Sequence, residues 1–140
     1  MAVDYEAFQR ALIEDLRAHQ GVVTQGPMAG RPLMLLTTKG AKTGEPRTAV
    51  VTYTRDGERY VVCASKSGAP TNPAWYYNLL RNPTATAEAG GEVFEVRATE
   101  THGAERQRLW DRHAEERPEF RDYPKKTSRV IPVFVLDRLS

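Results

Sequence analysis

The chain has 140 residues and a mass of 15.7 kDa, with 40% hydrophobic and 27% charged residues, which predicts one soluble globular domain over residues 1–140. A net charge of +2 argues against a polybasic nucleic-acid-binding tail, and the single cysteine, Cys63, excludes a disulfide framework. The three histidines are dispersed, so we expect no metal site. No apolar run is long enough to span a membrane, and the start at Met1 lacks a signal peptide, which predicts a cytoplasmic protein, free or at the membrane periphery.

The small positive charge is unevenly distributed along the chain. Residues 31–66 carry seven basic and three acidic side chains, whereas residues 1–30 and 67–100 each carry two basic and four acidic ones. The last forty residues are richly charged but mixed in sign, which is typical of a solvated helix face. The basic segment is therefore the expected docking site for a small anion.

The first half of the chain predicts one helix and three strands. Phe8, Leu12 and Leu16 recur at helical spacing over residues 4–19, so an N-terminal helix is expected within residues 1–20, ending at Gly21. A glycine-rich loop over 21–31 follows, then a strand over 33–38 and a turn-rich loop over 40–46. The β-branched and aromatic runs 48–54 and 60–64 predict a hairpin around the turn 55–58.

The second half predicts two short helices and three strands. A loop over 67–73 leads into a helix that begins at Pro73 and ends at Leu80, before Asn82-Pro83. Residues 84–89 and 93–99 form a hairpin about two glycines, residues 105–116 form a charged helix, and residues 130–136 form the last strand. His113 is expected to lie at the surface of the charged helix or to cap it.

This order of elements predicts a mainly β, α+β fold. Strands joined by hairpins do not alternate with helices as parallel βαβ units do, so we expect a small antiparallel barrel with helices packed outside it. The chain contains neither a G-x-G-x-x-G nor a P-loop sequence. A dinucleotide-binding sheet is therefore not expected.

The basic loop over residues 37–47 is the first candidate site. Gly40 and Gly44 permit backbone conformations that expose amide N–H groups, and Thr43 offers a hydroxyl. Lys42 and Arg47 add charge, and a guanidinium can hold an oxyanion through two hydrogen bonds. These features suit a cradle for phosphate or carboxylate. The alternative is a glycine turn whose cations are merely solvated.

Residues 64–69 and 72–79 are the second candidate site. A predicted strand ends in Ala64, Ser65 and Lys66. The small side chains of Ala64 and Ser65 leave room for a flat ring, the Ser65 hydroxyl can hydrogen-bond to it, and the Lys66 ammonium adds positive charge. Three adjacent aromatics then open a helix, on which Trp75 and Leu79 share one face. The alternative is that the aromatics are core residues and that the preceding asparagine caps the helix.

Two further side chains are considered for chemistry. Tyr123 lies on a predicted loop before the last strand, where a tyrosine can donate a proton if its surroundings lower its pKa from about 10. The alternative is a tyrosine packed at the domain edge. Cys63 lies in an apolar strand and is expected to be a core residue, because no neighbour in sequence would activate it as a nucleophile.

These blocks resemble the deazaflavin-dependent nitroreductase family, whose members use coenzyme F420. The resemblance spans residues 33–135 and rests on residues 35–47 (LLTTKGAKTGEPR), 64–68 (ASKSG), 72–79 (NPAWYYNL) and Asn82-Pro83, in the family's order and spacing. It implies a split β-barrel related to FMN-binding proteins, in agreement with the barrel expected from the elements. On the substrate side, some members have a second tyrosine where Phe120 stands and an aromatic residue where Thr52 stands, so the acceptor is not implied.

The resemblance also implies roles for individual residues. Residues implied to hold the coenzyme are Lys42, Thr43, Gly44, Arg47, Ala64, Ser65, Lys66, Asn72, Ala74, Trp75, Tyr76 and Asn78. Tyr123 and Ser65 are implied to act in catalysis, by meeting the charge that develops when hydride passes from the reduced deazaflavin to an enone, quinone or nitroaromatic. The alternatives are an FMN-dependent oxidoreductase of the same barrel type and a non-catalytic binding protein, in each case a monomer or homodimer without a nucleic-acid partner.

Overall fold

The computed structural model describes residues 5–19 and 33–139. Its strands are β1 (Leu33–Lys39), β2 (Pro46–Asp56), β3 (Arg59–Cys63), β4 (Thr84–Ala89), β5 (Glu92–Glu100) and β6 (Val133–Arg138). Its helices are α1 (Tyr5–Ala18), α2 (Ala74–Arg81) and α3 (Gly103–Glu116), with two 3-10 helices, Lys66–Gly68 and Pro118–Lys125. The predicted loop over 21–31, the stop at Gly21 and the first residue of the predicted N-terminal helix lie outside the described residues. Among the described helices, none has the length and apolar character needed to cross a membrane.

The six strands form one closed antiparallel barrel. Their order around it is β1, β2, β3, β6, β5 and β4, and β4 pairs with β1 to close the ring. Two tight turns, at Gly57 and at Gly90-Gly91, join β2 to β3 and β4 to β5, and all three glycines have positive φ. The structure thus confirms the predicted barrel with helices packed outside it, and both predicted hairpins.

Alternate side chains of each strand fill the barrel. Met34 and Leu36 enter from β1, while β4 contributes only alanines at its inward positions. These small side chains leave room for Phe94, whose ring stacks on Tyr60 at a centroid distance of 5.3 Å. Helix α2 adds Trp75 and Leu79 to this core, and the Trp75 ring lies 6.1 Å from that of Phe134, on β6. Burial of this helix face fixes the first turn of α2 at one end of the barrel.

Helices cover the outer faces of two parts of the barrel. Leu12, Ile13 and Leu16 of α1 pack on the odd-numbered side chains of β1, which explains why β1 is apolar on both faces. Helix α3 and the second 3-10 helix cover β3 and β6 through a cluster that includes Leu109 and Phe120. The helices therefore bury the apolar side chains that these strands direct away from the barrel interior.

Three expectations from the sequence are wrong. His113 is not at the surface but fully buried, because it shares a face of α3 with Leu109 and Trp110. Its Nδ1 lies 2.9 Å from Oγ1 of Thr54, and burial, assisted by the positive charge of Arg117, lowers its pKa to about 4. Residues 118–125 are a 3-10 helix and not a loop, and the last strand begins at residue 133 and not 130.

Candidate active site

A groove of about 610 Å³ lies over β2, between Arg47 and Thr52. Its volume falls within the range of small-molecule sites. The five residue-to-residue steps from Arg47 to Thr52 span about 17 Å of extended strand, which suits an elongated ligand. Its walls come from the start of α2, both 3-10 helices and Gln9 of α1. Together with Gln9, Arg47 and Thr52, the residues that line the groove are Thr38, Thr48, Ala49, Val50, Val51, Cys63, Ser65, Lys66, Pro73, Ala74, Trp75, Asn78, Glu119, Phe120 and Tyr123.

The turn between β1 and β2 forms one end of the groove. The Gly40 amide donates to the Glu45 carbonyl at 2.8 Å, and Gly44 has a φ of +76°, which a glycine adopts without strain. Arg47 is exposed and lines the groove, whereas Lys42, Thr43 and Gly44 are exposed beside it and outside its lining. Of the two predicted cations of this turn, the structure thus places Arg47 on the groove, 3.8 Å from the Glu45 carboxylate, and Lys42 outside the lining.

Asn78 of α2 holds this turn from behind. Its buried side-chain amide donates to Oγ1 of Thr38 at 3.0 Å, and its Oδ1 accepts the amide N–H of Ala41 at 3.0 Å. Both halves of the amide are thereby occupied by the protein. Asn78 lines the groove as predicted, and its hydrogen bonds show that it also fixes the turn that carries Lys42.

The segment that follows β3 forms a second wall. Ser65 is buried and lines the groove, while Ala64 is fully buried beneath it. Lys66 is exposed with a φ of +47°, a left-handed backbone conformation that side chains other than glycine seldom adopt. Gly68 has a φ of +82°, and a Cβ there would lie 3.0 Å from the carbonyl oxygen of Tyr123. This wall is therefore strained at one residue and closely packed at another.

Arg129 anchors this second wall and was missed by sequence reasoning. Its guanidinium donates to the carbonyls of Ala64 at 3.2 Å, Ser65 at 2.7 Å and Ala69 at 2.9 Å. It also donates to Oδ1 of Asn72 at 2.7 Å, so this predicted coenzyme residue contacts Arg129 and does not line the groove. No local pattern marks Arg129, because its partners lie about sixty residues earlier in the chain.

The start of α2 brings small and aromatic side chains to the groove. Pro73, Ala74 and Trp75 line it, and Trp75 also belongs to the barrel core. Tyr76, also predicted to bind the coenzyme, lies outside the lining and packs edge-on against Phe134 at 5.8 Å. Burial is the main cause that raises the pKa of Tyr76. The carboxylate of Glu100 raises it further, by its negative charge and by a hydrogen bond to the Tyr76 side chain.

Aromatic side chains from the second 3-10 helix form the far wall. The Tyr123 ring packs against Phe120 at a centroid distance of 4.9 Å, and Phe120 in turn packs edge-on against His113 at 4.4 Å. Cys63 lies on the floor, where burial raises the pKa of its thiol far above the ordinary range. Cys63 is thus the core residue that the sequence predicted, and a thiolate nucleophile is disfavoured.

The groove combines three properties that suit a flat, partly anionic ligand, namely an elongated shape, exposed cations and aromatic walls. Arg47 and Lys66 are exposed cations on its lining, and Trp75, Phe120 and Tyr123 are aromatic walls. A deazaflavin with an anionic side chain has the matching parts, so the residues present fit coenzyme F420. Among residues 5–19 and 33–139, no group of three His, Cys, Asp or Glu side chains could hold a metal ion.

Comparisons of the sequence and the fold with those of known proteins give F420H(2)-dependent reductases. Residues 8–138 match the family model for F420H(2)-dependent quinone reductases. An F420H(2)-dependent quinone reductase of Mycobacterium tuberculosis is 40% identical over 136 residues, which cover 90% of this chain and 91% of the relative. A solved F420-H2-dependent reductase superposes with a TM-score of 0.70 at 38% identity, over 76% of this chain and 95% of that structure.

A second solved structure, described as a domain-swapped dimer, has a TM-score of 0.72 at 34% identity and covers 96% of this chain and 98% of its own. These matches confirm the family resemblance seen in the sequence and give no support to the FMN-dependent alternative. The chain belongs to the F420H(2)-dependent quinone reductase family and is an F420-dependent reductase.

Proposed function

We propose that this protein transfers a hydride from reduced coenzyme F420 to an electron-poor small molecule, with a quinone as the preferred acceptor and enones and nitroaromatics as further ones. The observation that carries the proposal is the gathering of Arg47, Lys66, Trp75 and Tyr123, from four separate parts of the chain, on one groove. The quinone acceptor is proposed by analogy with the Mycobacterium tuberculosis relative, an F420H(2)-dependent quinone reductase. A cytoplasmic location and a monomeric or homodimeric state stay predictions.

The coenzyme is held by charge at one end and by surface contact along the groove. Lys42 and Arg47 attract the anionic side chain, assisted by Thr43 and the amide groups around Gly44. Ser65 and Lys66 bind the ring and its linker, against Ala74 and Trp75. Ala64 and Tyr76 support these residues from the core, and Asn72 and Asn78 keep their segments in place.

The protein supplies orientation and proton management for the reaction. When bound, the reduced coenzyme supplies the hydride. Trp75 and Phe120 exclude water from the groove and hold the acceptor flat, which raises the effective concentration of the reactants. Tyr123 donates a hydrogen bond from its phenol to the oxygen that gains negative charge on the acceptor, and Ser65 provides a second donor.

The proposal is tested by mixing the protein with reduced coenzyme F420 and menadione and following oxidation of the coenzyme. We expect turnover that requires the protein. Binding of the coenzyme without turnover of menadione, cyclohexenone or a nitroaromatic would favour the non-catalytic binder. A purified protein that is yellow with bound flavin and inert toward coenzyme F420 would favour the FMN-dependent alternative.

The anion cradle is tested by replacing its cations one at a time. Lys42→Ala and Arg47→Ala are each expected to raise the Kd of coenzyme F420 about tenfold and to leave kcat at saturation nearly unchanged, because they bind a part of the ligand remote from the reaction. Arg81→Ala is the control, since Arg81 is an exposed cation in the last turn of α2, outside both the β1–β2 turn and the groove lining. Equal affinities for all three variants would contradict the cradle.

A further inference from the structure

We propose that Arg129 is a positioning residue that sets the affinity for the coenzyme without touching it. The inference rests on the proposed function, because it assumes that the groove holds coenzyme F420. The observation behind it is the fan of four hydrogen bonds, between 2.7 and 3.2 Å, from one guanidinium to the segment after β3. Three of the four acceptors are backbone carbonyls.

The segment held by Arg129 needs an external support. Lys66 sits at a φ of +47°, and such a conformation persists only where the surroundings impose it. The backbone hydrogen bonds within the segment are two short turns, from the Gly68 amide to the Ser65 carbonyl and from the Ala69 amide to the Lys66 carbonyl. The Lys66 ammonium adds one side-chain hydrogen bond, to Oγ1 of Thr71 at 3.3 Å. Arg129 holds carbonyls both before and after Lys66, so it fixes the strained residue from either side.

The support has a direction that matters for binding. Arg129 is absent from the lining, whereas Ser65 and Lys66 belong to it, so the guanidinium lies behind the wall. A trans peptide directs its carbonyl and its amide N–H to opposite sides. Because the Ser65 carbonyl turns toward Arg129, the N–H of Lys66 turns to the side of the groove. Arg129 therefore presents both the hydroxyl-bearing residue and a backbone donor to a ligand.

The segment that Arg129 holds also packs against the second 3-10 helix, which forms the far wall of the groove. Gly68 lies so close to the second 3-10 helix that an added Cβ would meet both the Tyr123 carbonyl and the Cβ of Lys126 at 3.0 Å. Arg129 itself follows that helix in the chain. The segment that Arg129 holds is therefore closely packed against the backbone that carries Tyr123.

The experiment replaces Arg129 with lysine, which keeps the charge but cannot make the fork of hydrogen bonds. We expect the Kd of oxidised coenzyme F420 to rise about tenfold, with kcat at saturating coenzyme within about threefold of the parent. The amide protons of Gly68 and Ala69 are expected to exchange at least about tenfold faster, because their turns lose their support.

The matched control is Arg106→Lys. Arg106 also uses its guanidinium to hold a backbone carbonyl, that of Ile131, at 2.7 and 3.2 Å, but Ile131 lies outside the groove lining, whereas Ser65, which Arg129 holds, belongs to it. A comparable loss of thermal stability with an unchanged Kd is expected for this variant. If Arg129→Lys and Arg106→Lys weaken coenzyme binding equally, or if neither does, the positioning role is refuted.

Asn72→Ala keeps the inference testable if Arg129→Lys fails to fold. It removes one of the four acceptors and leaves the arginine in place, so the Kd is expected to rise about threefold. An unchanged Kd would overturn the inference. If the parent protein itself neither binds nor oxidises reduced coenzyme F420, the proposed function fails, whereas the exchange rates of Gly68 and Ala69 still decide whether Arg129 supports the segment.

Discussion

Two loops flank the groove, and they are held in different ways. The turn between β1 and β2 is closed by its own backbone hydrogen bonds and by the neutral amide of Asn78. The segment between β3 and α2 contains a strained Lys66 and is held by the charged guanidinium of Arg129. The first loop is followed by Arg47 and the second contains Lys66, both exposed cations on the groove lining, and both loops take their support from side chains distant in sequence.

The difference shows how backbone conformation sets the support a binding loop needs. A turn whose positive φ falls on a glycine, as at Gly44, has little strain to offset, and two ordinary hydrogen bonds suffice. A segment that places a lysine at positive φ carries strain that its own hydrogen bonds do not offset. Hydrogen bonds from a charged donor are about twice as strong as neutral ones, which suits the second case.

The largest expected effect is that of Gly68→Ala in the strained segment. The new Cβ would meet the Tyr123 carbonyl at 3.0 Å and would also require a side chain at a φ of +82°. We expect a loss of about 3 to 5 kcal/mol in the free energy of unfolding, from strain and overpacking together. Gly57→Ala is the control, because its φ is +61° but nothing lies within 4 Å of its Cβ. Equal losses in urea unfolding would show that the close packing contributes nothing.

The 3-10 helix that packs against this segment rests on a buried histidine, whose effect depends on pH. Burial lowers the pKa of His113 from 6.5 to about 4, so between these values the unfolded chain binds a proton that the folded chain rejects. The free energy of unfolding is therefore expected to fall, by up to about 3 kcal/mol, as pH decreases from 6.5 to 4, and to gain nothing from this group above pH 6.5.

His113→Gln separates this contribution from that of the carboxyl groups that titrate in the same range. The amide of glutamine keeps a polar partner for Thr54 and does not titrate. Urea unfolding of both proteins across this pH range measures the difference. Parallel pH profiles for the parent and the variant would show that His113 is not the source of the dependence.

An intermediate effect is expected for Asn78→Ala, which removes the support of the first turn. The variant leaves the buried Thr38 hydroxyl and the Ala41 N–H without this partner, at a cost of about 2 kcal/mol in the free energy of unfolding. Coenzyme binding should weaken as well, since the same turn carries Lys42. Asn82→Ala, at the far end of the same helix, serves as the control in thermal unfolding and in coenzyme titration. Equal effects of the two substitutions would contradict the supporting role of Asn78.

The smallest effect is expected for Gly40→Ala in the first turn. The added Cβ would lie 3.1 Å from the Glu45 carbonyl and 3.2 Å from the Thr43 hydroxyl, and the backbone of Gly40 is not at positive φ. A small displacement of Thr43 relieves much of the contact, so we expect a loss of about 1 kcal/mol in urea unfolding. A loss as large as that of Gly68→Ala would abolish the contrast between the two loops.

Much of the barrel could be predicted from local patterns. The β-branched and aromatic runs and the Gly-containing turns between strands predicted both hairpins, and the short apolar run at residues 33–38 predicted β1. The second 3-10 helix could not be predicted, because Pro118 and Pro124 interrupt helical periodicity and read as loop residues. The buried position of His113 could not be predicted, because eight other charged or polar residues of α3 hide its short buried stripe.

The sequence by itself determined several candidates for the groove, because the glycine turn with its cations and the aromatic block are each marked by a local pattern. Only the tertiary structure decided how they are held. Asn72 and Asn78, which look like ligands in the sequence, have their side-chain oxygens occupied by Arg129 and by the Ala41 amide. Barrel closure creates these contacts between residues 37 to 57 positions apart, and hydrogen bonds across such separations leave no periodic trace in a sequence.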